Sequence, residues 1–239
     1  MRRPHALLAL AAMVLTVLLP APATAQEREL RGSVTVVPGR QGILEVAGYG
    51  GPALGTGSRL TLTVPEPAEV TGTPLADGGY RGAVAADGGT GSYTFTGGTA
   101  ATRPWADRTF PFVVSVPATA VPGTRLTGCA MVVTDAGGSR RDQGACTVTV
   151  GLPEPTLLQP LAGVPLGSRP RAAGTAYPGA RVSVRDQNER EVCAATAAAD
   201  GTWSCVPAAD LPAGGGRLQV TATFNGVSAD SEQIRITVG

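Results

Sequence analysis

The chain contains no lysine: all 19 of its basic residues are arginine. It has one histidine, His5, and that residue sits in an apolar N-terminal leader. From residue 26 onward there is no imidazole. That absence excludes Ser-His-Asp and Cys-His catalysis and His-ligated zinc together. Aromatic residues are scarce at 4%, so few large rings exist either to fill a core or to form a ligand platform. Beyond the leader no stretch carries the 3.6-residue apolar period of a useful amphipathic helix. What is present instead is glycine (33) and proline (20), placed between short Val/Thr/Leu runs. That distribution suits a turn-rich β protein. Without Arg2 and Arg3 of the leader, the 19 basic residues fall to 17 against 18 acidic ones, a net charge of −1. A near-neutral chain has no electrostatic footprint for nucleic acid or for an anionic membrane.

Residues 1–25 read as a secretory signal peptide. Arg2-Arg3 is the charged start, Ala6 to Leu19 is an apolar run too short to span a bilayer comfortably, and Ala23-Thr-Ala25 fits the small-x-small cleavage pattern. The mature chain is expected to begin at Gln26, to be extracellular, and to have no stable membrane insertion after cleavage.

Export to an oxidising compartment bears on the four cysteines. Cys193 and Cys205 flank Asp200-Gly201, a strong short hairpin signal because Gly accepts positive φ at no steric cost. Cys129 and Cys146 are symmetric about Gly137-Gly138. A cross-strand disulfide on each hairpin is the economical reading, although four cysteines allow three connectivities. Free thiols or metal ligands are the competing reading, and neither CxxC spacing nor histidine supports a metal.

The first domain is expected over 26–150. Its strands are Ser33–Val37, Ile43–Val46, Arg59–Val64, Ser92–Thr96, Phe110–Val116 and Arg125–Thr134, then Gly144–Val150. Pro111 suggests that its strand is an edge or a strand start. Arg140-Arg141 fall at the tip of the second cysteine hairpin and read as a solvated loop charge pair, with a recognition spot as the alternative. Gly151-Leu-Pro-Glu-Pro155 begins a Pro-rich linker over 151–156, extended and stiff. The second domain covers 157–239. Its strands include Val182–Arg185, Val192-Cys-Ala194, Trp203–Cys205, Arg217–Phe224 and Glu232–Val238, with an Asn225-Gly226 hairpin turn. The fold class expected is all-β, two tandem β-sandwiches.

The second domain carries Pro160-Leu-Ala-Gly163, Ala173-Gly-Thr-Ala-Tyr-Pro-Gly-Ala180, Val182-Ser-Val184, Ala199-Asp-Gly-Thr-Trp-Ser-Cys205 and Leu211-Pro-Ala-Gly214. In order and spacing it resembles the bacterial immunoglobulin-like modules of secreted and cell-surface proteins. The resemblance implies a seven-strand-type sandwich used as a spacer or binding module, with no catalytic residues. The first domain, on Leu62-Thr-Val-Pro65 and Val114-Ser-Val-Pro117, is similar in a general way to secreted β-sandwich repeats of bacterial surface proteins.

Candidate chemistry is thin. Glu66 with Glu69, or Asp186 with Glu189 and Glu191, would have to face each other across a cleft to act as a glycosidase pair; beside Arg185 and Arg190 they read as solvated charge. Asp77, Asp87, Asp107 and Asp135 lie in Gly-rich turns where calcium would find oxygen ligands, but without DxDxDG spacing. No cofactor is expected: Gly48–Gly57 is Gly-rich, yet it precedes a strand and lacks the Lys-Ser/Thr of a phosphate loop. Tyr49, Tyr80, Tyr93 and Trp105 are the rings available for a ligand platform; Trp105 is the best single candidate for an exposed contact, against the favoured reading that it packs its loop into the core. Trp203, beside Cys205, is assigned to the core. The expected function is a non-enzymatic binding or structural module whose partner is a cell-envelope polymer or surface protein. A small-molecule carrier built like the chromoprotein apoproteins is the alternative, and a hydrolase ranks last.

Overall fold

The structure, a computed structural model, describes residues 29–75, 78–98, 104–106 and 108–239. The leader, Asp77 and Asp107 lie outside the described residues. Every regular element among those described is a β-strand. The first ten are β1 (Gly32–Val36), β2 (Gln41–Val46), β3 (Arg59–Thr63), β4 (Glu69–Gly72), β5 (Tyr80–Val84), β6 (Thr90–Phe95), β7 (Phe110–Ser115), β8 (Arg125–Leu126), β9 (Ala130–Thr134) and β10 (Arg140–Val150). They form two sheets. One runs β1-β10-β9-β3-β6-β5 with β8 beside β10; the other runs β2-β7-β4.

Period-2 sequence dictates which side of each strand faces in. In β3, Leu60 and Leu62 are buried between Arg59, Thr61 and Thr63; in β6, Gly91, Tyr93 and Phe95 are buried between Thr90, Ser92 and Thr94. These inward residues meet Leu44, Val46, Phe110, Phe112 and Val114 of the smaller sheet in one core. Strand β7 is the middle strand of its sheet, so of the two readings of Pro111, edge or strand start, the structure has the second: Pro111 is the second residue of β7. The strand tolerates proline there for a local reason: β4 joins β7 only from Val113 onward, so Pro111 has a strand neighbour on one side alone, opposite Glu45 of β2. Two strands, β4 and β5, were not foreseen, because Glu69–Gly72 and Tyr80–Val84 lack a repeated alternation of large apolar residues.

The remaining strands are β11 (Pro165–Leu166), β12 (Ala172–Thr175), β13 (Arg181–Asp186), β14 (Glu191–Thr196), β15 (Thr202–Cys205), β16 (Gly214–Phe224), β17 (Val227–Asp230) and β18 (Ile234–Val238). Their sheets run β11-β18-β16-β13-β14, with β17 on β16, and β12-β15. None of these strands pairs with β1–β10. Both groups use one closing device: the first strand lies parallel to the last, β1 against Cys146–Val150 of β10 and β11 against Thr237-Val238 of β18.

Cys129 and Cys146 continue the β9–β10 register and are bonded, with Cα atoms 5.0 Å apart. Cys193 and Cys205 are also bonded, Cα to Cα 5.9 Å. Here the expected hairpin is corrected. The turn exists, with Gly201 at φ 81° donating to Ala198 O and Ala198 donating to Thr202 O. Its arms do not pair: β14 binds β13, and β15 binds β12 in the other sheet. The bridge therefore ties two sheets, with Trp203 buried beside it. The arm after Cys193, Ala-Ala-Thr-Ala-Ala-Ala, offers no large side chains to hold a cross-strand ladder, while Val182 and Val184 of β13 draw β14 into the larger sheet.

The segment after β10 is anchored by packing as well. Gly151 N–H donates to Val36 O, and Leu152 is buried against Ala180 and Ala222, with Tyr177 and Phe224 packed beside them. The Asn225-Gly226 turn has positive φ at both residues, 46° and 79°, the type I′ geometry that matches strand twist. Asn225 Nδ2 donates to Pro122 O at 3.2 Å, so this hairpin tip touches the Pro122-Gly123 turn of the first group.

Replacing Cys193 and Cys205 together by Ala should cost about 3 kcal/mol on the chain-entropy scale for a loop of this length. The shift in urea midpoint of the oxidised protein measures it; an unchanged midpoint would mean that Trp203 packing alone holds the two sheets together.

Candidate binding surfaces

The four rings considered for a platform all turn inward. Trp105 is 2% exposed, and its Nε1–H donates to Ser58 Oγ at 2.8 Å. It packs against Tyr80 and Phe110 at centroid distances of 5.3 and 5.0 Å. Of the two readings of Trp105, exposed contact and core packing, the structure has the second. The loop position is right, but Pro104-Trp105-Ala106 forms a buried turn that closes the end of the core. Tyr49, Tyr80 and Tyr93 are buried too, and each hydroxyl donates to the carbonyl of a proline. The acceptors are Pro52 for Tyr49 at 2.9 Å, Pro104 for Tyr80, and Pro111 for Tyr93 at 2.6 Å. Burial pushes the Tyr93 phenol above its usual value, partly offset by the Leu75 N–H that donates to its oxygen. Each tyrosine thereby anchors an irregular segment to the core and satisfies a polar tip that burial would otherwise strand.

The acidic candidates are bound up in turns. Asp186 is shielded from water, which raises its pKa. That effect is outweighed by the amides of Asn188 and Arg190 and by the Arg190 guanidinium, so the carboxyl lies below the usual range. Glu189 occupies the left-handed position of this turn at φ 61°, and Glu191 accepts from Ser183 Oγ at 2.7 Å. Asp135 is held low by Arg141, which donates from Nε at 2.8 Å, and by the Ser139 amide. Asp200 is held low by the amide and hydroxyl of Thr202. Asp87 accepts from the Gly89 amide at 2.9 Å. Glu66 and Glu69 are exposed around the turn into β4. These are self-contained Asx-type turns. Among the described residues no group of three or more His, Cys, Asp or Glu is arranged to hold a metal.

The enclosed spaces lined by described residues are small. A cavity of about 40 Å³ lies at the open end of the second group of strands, lined by Leu211, Gly216, Leu218, Ile236 and Val238. Another of about 10 Å³ lies beside Trp105 and Tyr49. A wider, open surface hollow of about 560 Å³ has a mixed lining that includes Arg31, Glu45, Ala47, Thr109 and Ala145. What the described residues offer a partner is mainly broad sheet faces.

No protein-family model and no curated protein matches the chain. Solved structures with similarity include the BSP domain of a biofilm-associated protein, at 16% identity and TM-score 0.31 over 88% of this chain. The present chain spans 29% of that one. A tetra-tandem repeat from the extending region of a large adhesion protein gives 15% identity and TM-score 0.33, covering 88% of this chain and 49% of that one. The third cohesin ScaC of Acetivibrio cellulolyticus, solved with the ScaB dockerin, gives 15% and 0.36, covering 51% of this chain and 98% of its own. At these TM-scores the likenesses assign no function.

Two outcomes follow from the site geometry. Trp105→Ala should destabilise the protein by about 3–5 kcal/mol, as removal of a buried ring does, read from the urea midpoint; a loss below 1 kcal/mol would place the ring at the surface. The lowered carboxyls of Asp135, Asp186 and Asp200 mean that the unfolded chain binds protons more readily than the folded one. Stability should therefore be full at neutral pH and decline as pH falls through the ordinary carboxylate range, from about pH 5 downward. The raised Asp142, pushed up by burial, works in the opposite sense. Asp186→Asn should flatten the acid limb of the midpoint-versus-pH curve; an identical acid limb would remove Asp186 from that account.

Proposed function

We propose that this protein is secreted after removal of residues 1–25 and acts as a non-enzymatic binding or structural module at the bacterial cell surface. Its two β-sandwich modules span 26–150 and 157–239, joined through 151–156. The observation that carries the reading is the fate of the polar chemistry. Every described candidate acid is either consumed by its own turn or left open to solvent, every candidate ring is core, and long sheet faces remain as the available surface. Sandwich proteins bind through such faces, edges and end loops. Two disulfides fit an oxidising environment. The carrier reading is less well supported. The cavities of about 40 and 10 Å³ among the described residues fall far short of the several hundred Å³ that enclose a small organic ligand.

The test is co-sedimentation of the 26–239 chain with envelope material from its producing organism, with bovine albumin as the inert control. Saturable pelleting above albumin is expected. A folded, fully oxidised protein that stays in the supernatant would sink the surface-module reading.

A further inference from the structure

The outer face of the β1-β10-β9-β3-β6-β5 sheet carries a pattern that strand pairing alone makes visible. Arg81 of β5 lies opposite Thr94 of β6, and Thr94 lies opposite Arg59 of β3. Arg59 lies opposite Thr134 of β9, and Thr134 lies opposite Arg140 of β10. Across five strands the row reads Arg–Thr–Arg–Thr–Arg. All three arginines are exposed. Arg59 Nε donates to Thr94 Oγ1 at 3.2 Å, and Arg140 donates to the Gln143 side chain at 2.5 Å. None of the three has a carboxylate partner among the described residues: Asp142, two residues from Arg140, lies past the bulge opposite the inward Val133, and Asp135 is paired with Arg141.

The rest of the face is of one kind. Its outward strand positions are filled by Ser33, Thr35, Thr61, Thr63, Thr90 and Ser92, with small or uncharged residues and Arg125, and with no Asp or Glu. The opposite sheet is the reverse, with Glu45 and Glu69 outward and no arginine in its strands. The first sandwich is therefore electrically two-faced although the chain as a whole is near neutral. Neighbouring strands lie about 4.8 Å apart, so successive arginines in the row stand about 10 Å apart. Threonine hydroxyls between them can donate or accept.

We propose that this row is a binding track for a linear acidic polysaccharide bearing one carboxylate per disaccharide, laid across the strands. The inference deepens the surface-module reading and rests on it. Charge complementarity selects an anionic partner, because guanidinium groups bind carboxylates through paired N–H donors. The spacing selects a polymer whose charges recur every second sugar rather than every sugar. The hydroxyl lining suits the sugar hydroxyls between charges. The lack of any exposed ring on this face removes stacking as the recognition mode, so binding is electrostatic and falls as salt shortens the Debye length from about 10 Å at 0.1 M to about 3 Å at 1 M.

The experiment uses the secreted chain with both disulfides formed and hyaluronan oligosaccharides as the probe, with dextran and polygalacturonate as comparison polymers and duplex DNA as a competitor. The triple variant Arg59→Gln, Arg81→Gln, Arg140→Gln is set against Arg171→Gln, Arg217→Gln, Arg235→Gln, which removes equal charge from exposed positions elsewhere. Thermal midpoints check that both fold, and Arg59→Gln alone serves if the triple does not. The expected result is salt-sensitive hyaluronan binding, stronger than to dextran or polygalacturonate, weakened about tenfold or more by the row variant and unchanged by the control. Absence of binding at low salt, equal loss in both variants, or preference for DNA would each overturn the proposal. Co-sedimentation with envelope material that survives the row variant would overturn it too, while leaving the surface-module reading standing.

Discussion

Tyr80 packs edge-on against Trp105 and Phe110 and tilts against Phe95, and that contact sets the terms for the first sandwich. Tyr93 extends the stack through Phe110 to Phe112. The rings come from both sheets and from the turn at 104–106, so the stack bridges the sandwich and closes one end of it. With aromatics at 4% of the chain, collecting them here leaves almost none for the surface. Offset and edge-to-face ring pairs add roughly 0.5–1.5 kcal/mol each beyond their buried area. A surface stripped of rings is then the direct cost of a core that holds. It explains why the exterior is written in threonine, serine and arginine, and why recognition on this sandwich rests on hydrogen bonds and charge.

The sequence was most legible where one residue determines a local conformation. Asn225-Gly226 needs positive φ twice, and the structure has it twice. The alternation in Arg59–Thr63 and Thr90–Phe95 named the buried faces correctly, because a half-buried strand repeats every two residues whatever its partner. The same signal is silent about which sheet a strand joins. Asp200-Gly201 guaranteed a reversal of the chain but not a ladder between its arms. Whether β14 and β15 pair was settled elsewhere, by Val182 and Val184 on one side and by Ala172 and Gly174 on the other. The disulfide pairing could be read without the sheet assignment, since both a hairpin and a sheet-to-sheet crossing bring Cys193 and Cys205 within about 6 Å.

Trp105 shows a second limit. A tryptophan after Arg-Pro in a loop reads as available, yet its burial is decided by partners distant in sequence: Ser58 offers the acceptor, and Tyr80 and Phe110 the walls. Local sequence carries no trace of such partners. The packing of the segment after β10 was hidden in the same way. Gly151-Leu-Pro-Glu-Pro155 is stiff by composition, but Leu152 finds an apolar seat made by Ala180 and Ala222 of β16 and the turn before β13, and the Asn225 tip reaches Pro122. Small residues at 180 and 222 are what leave room for that leucine. The connection is therefore held by packing as well as by proline.

The arginine row is the case in which composition misled most. Net charge sums over the chain and so discards position, and the tip of a cysteine hairpin is the natural guess for Arg140-Arg141. In the structure β10 begins at Arg140, and a bulge before Asp142 sends Arg140 outward and gives Arg141 to Asp135. Without that bulge, Arg140 and Asp142 would share a face and largely cancel. The bulge instead turns Asp142 toward the sheet, where burial raises its pKa, and leaves the outer row free of acid. A single inserted residue thus separates the charges of neighbouring side chains onto opposite sides of a sheet. The consequence is a cationic face on a protein whose total charge is close to zero, and an arginine spacing set by the distance between strands.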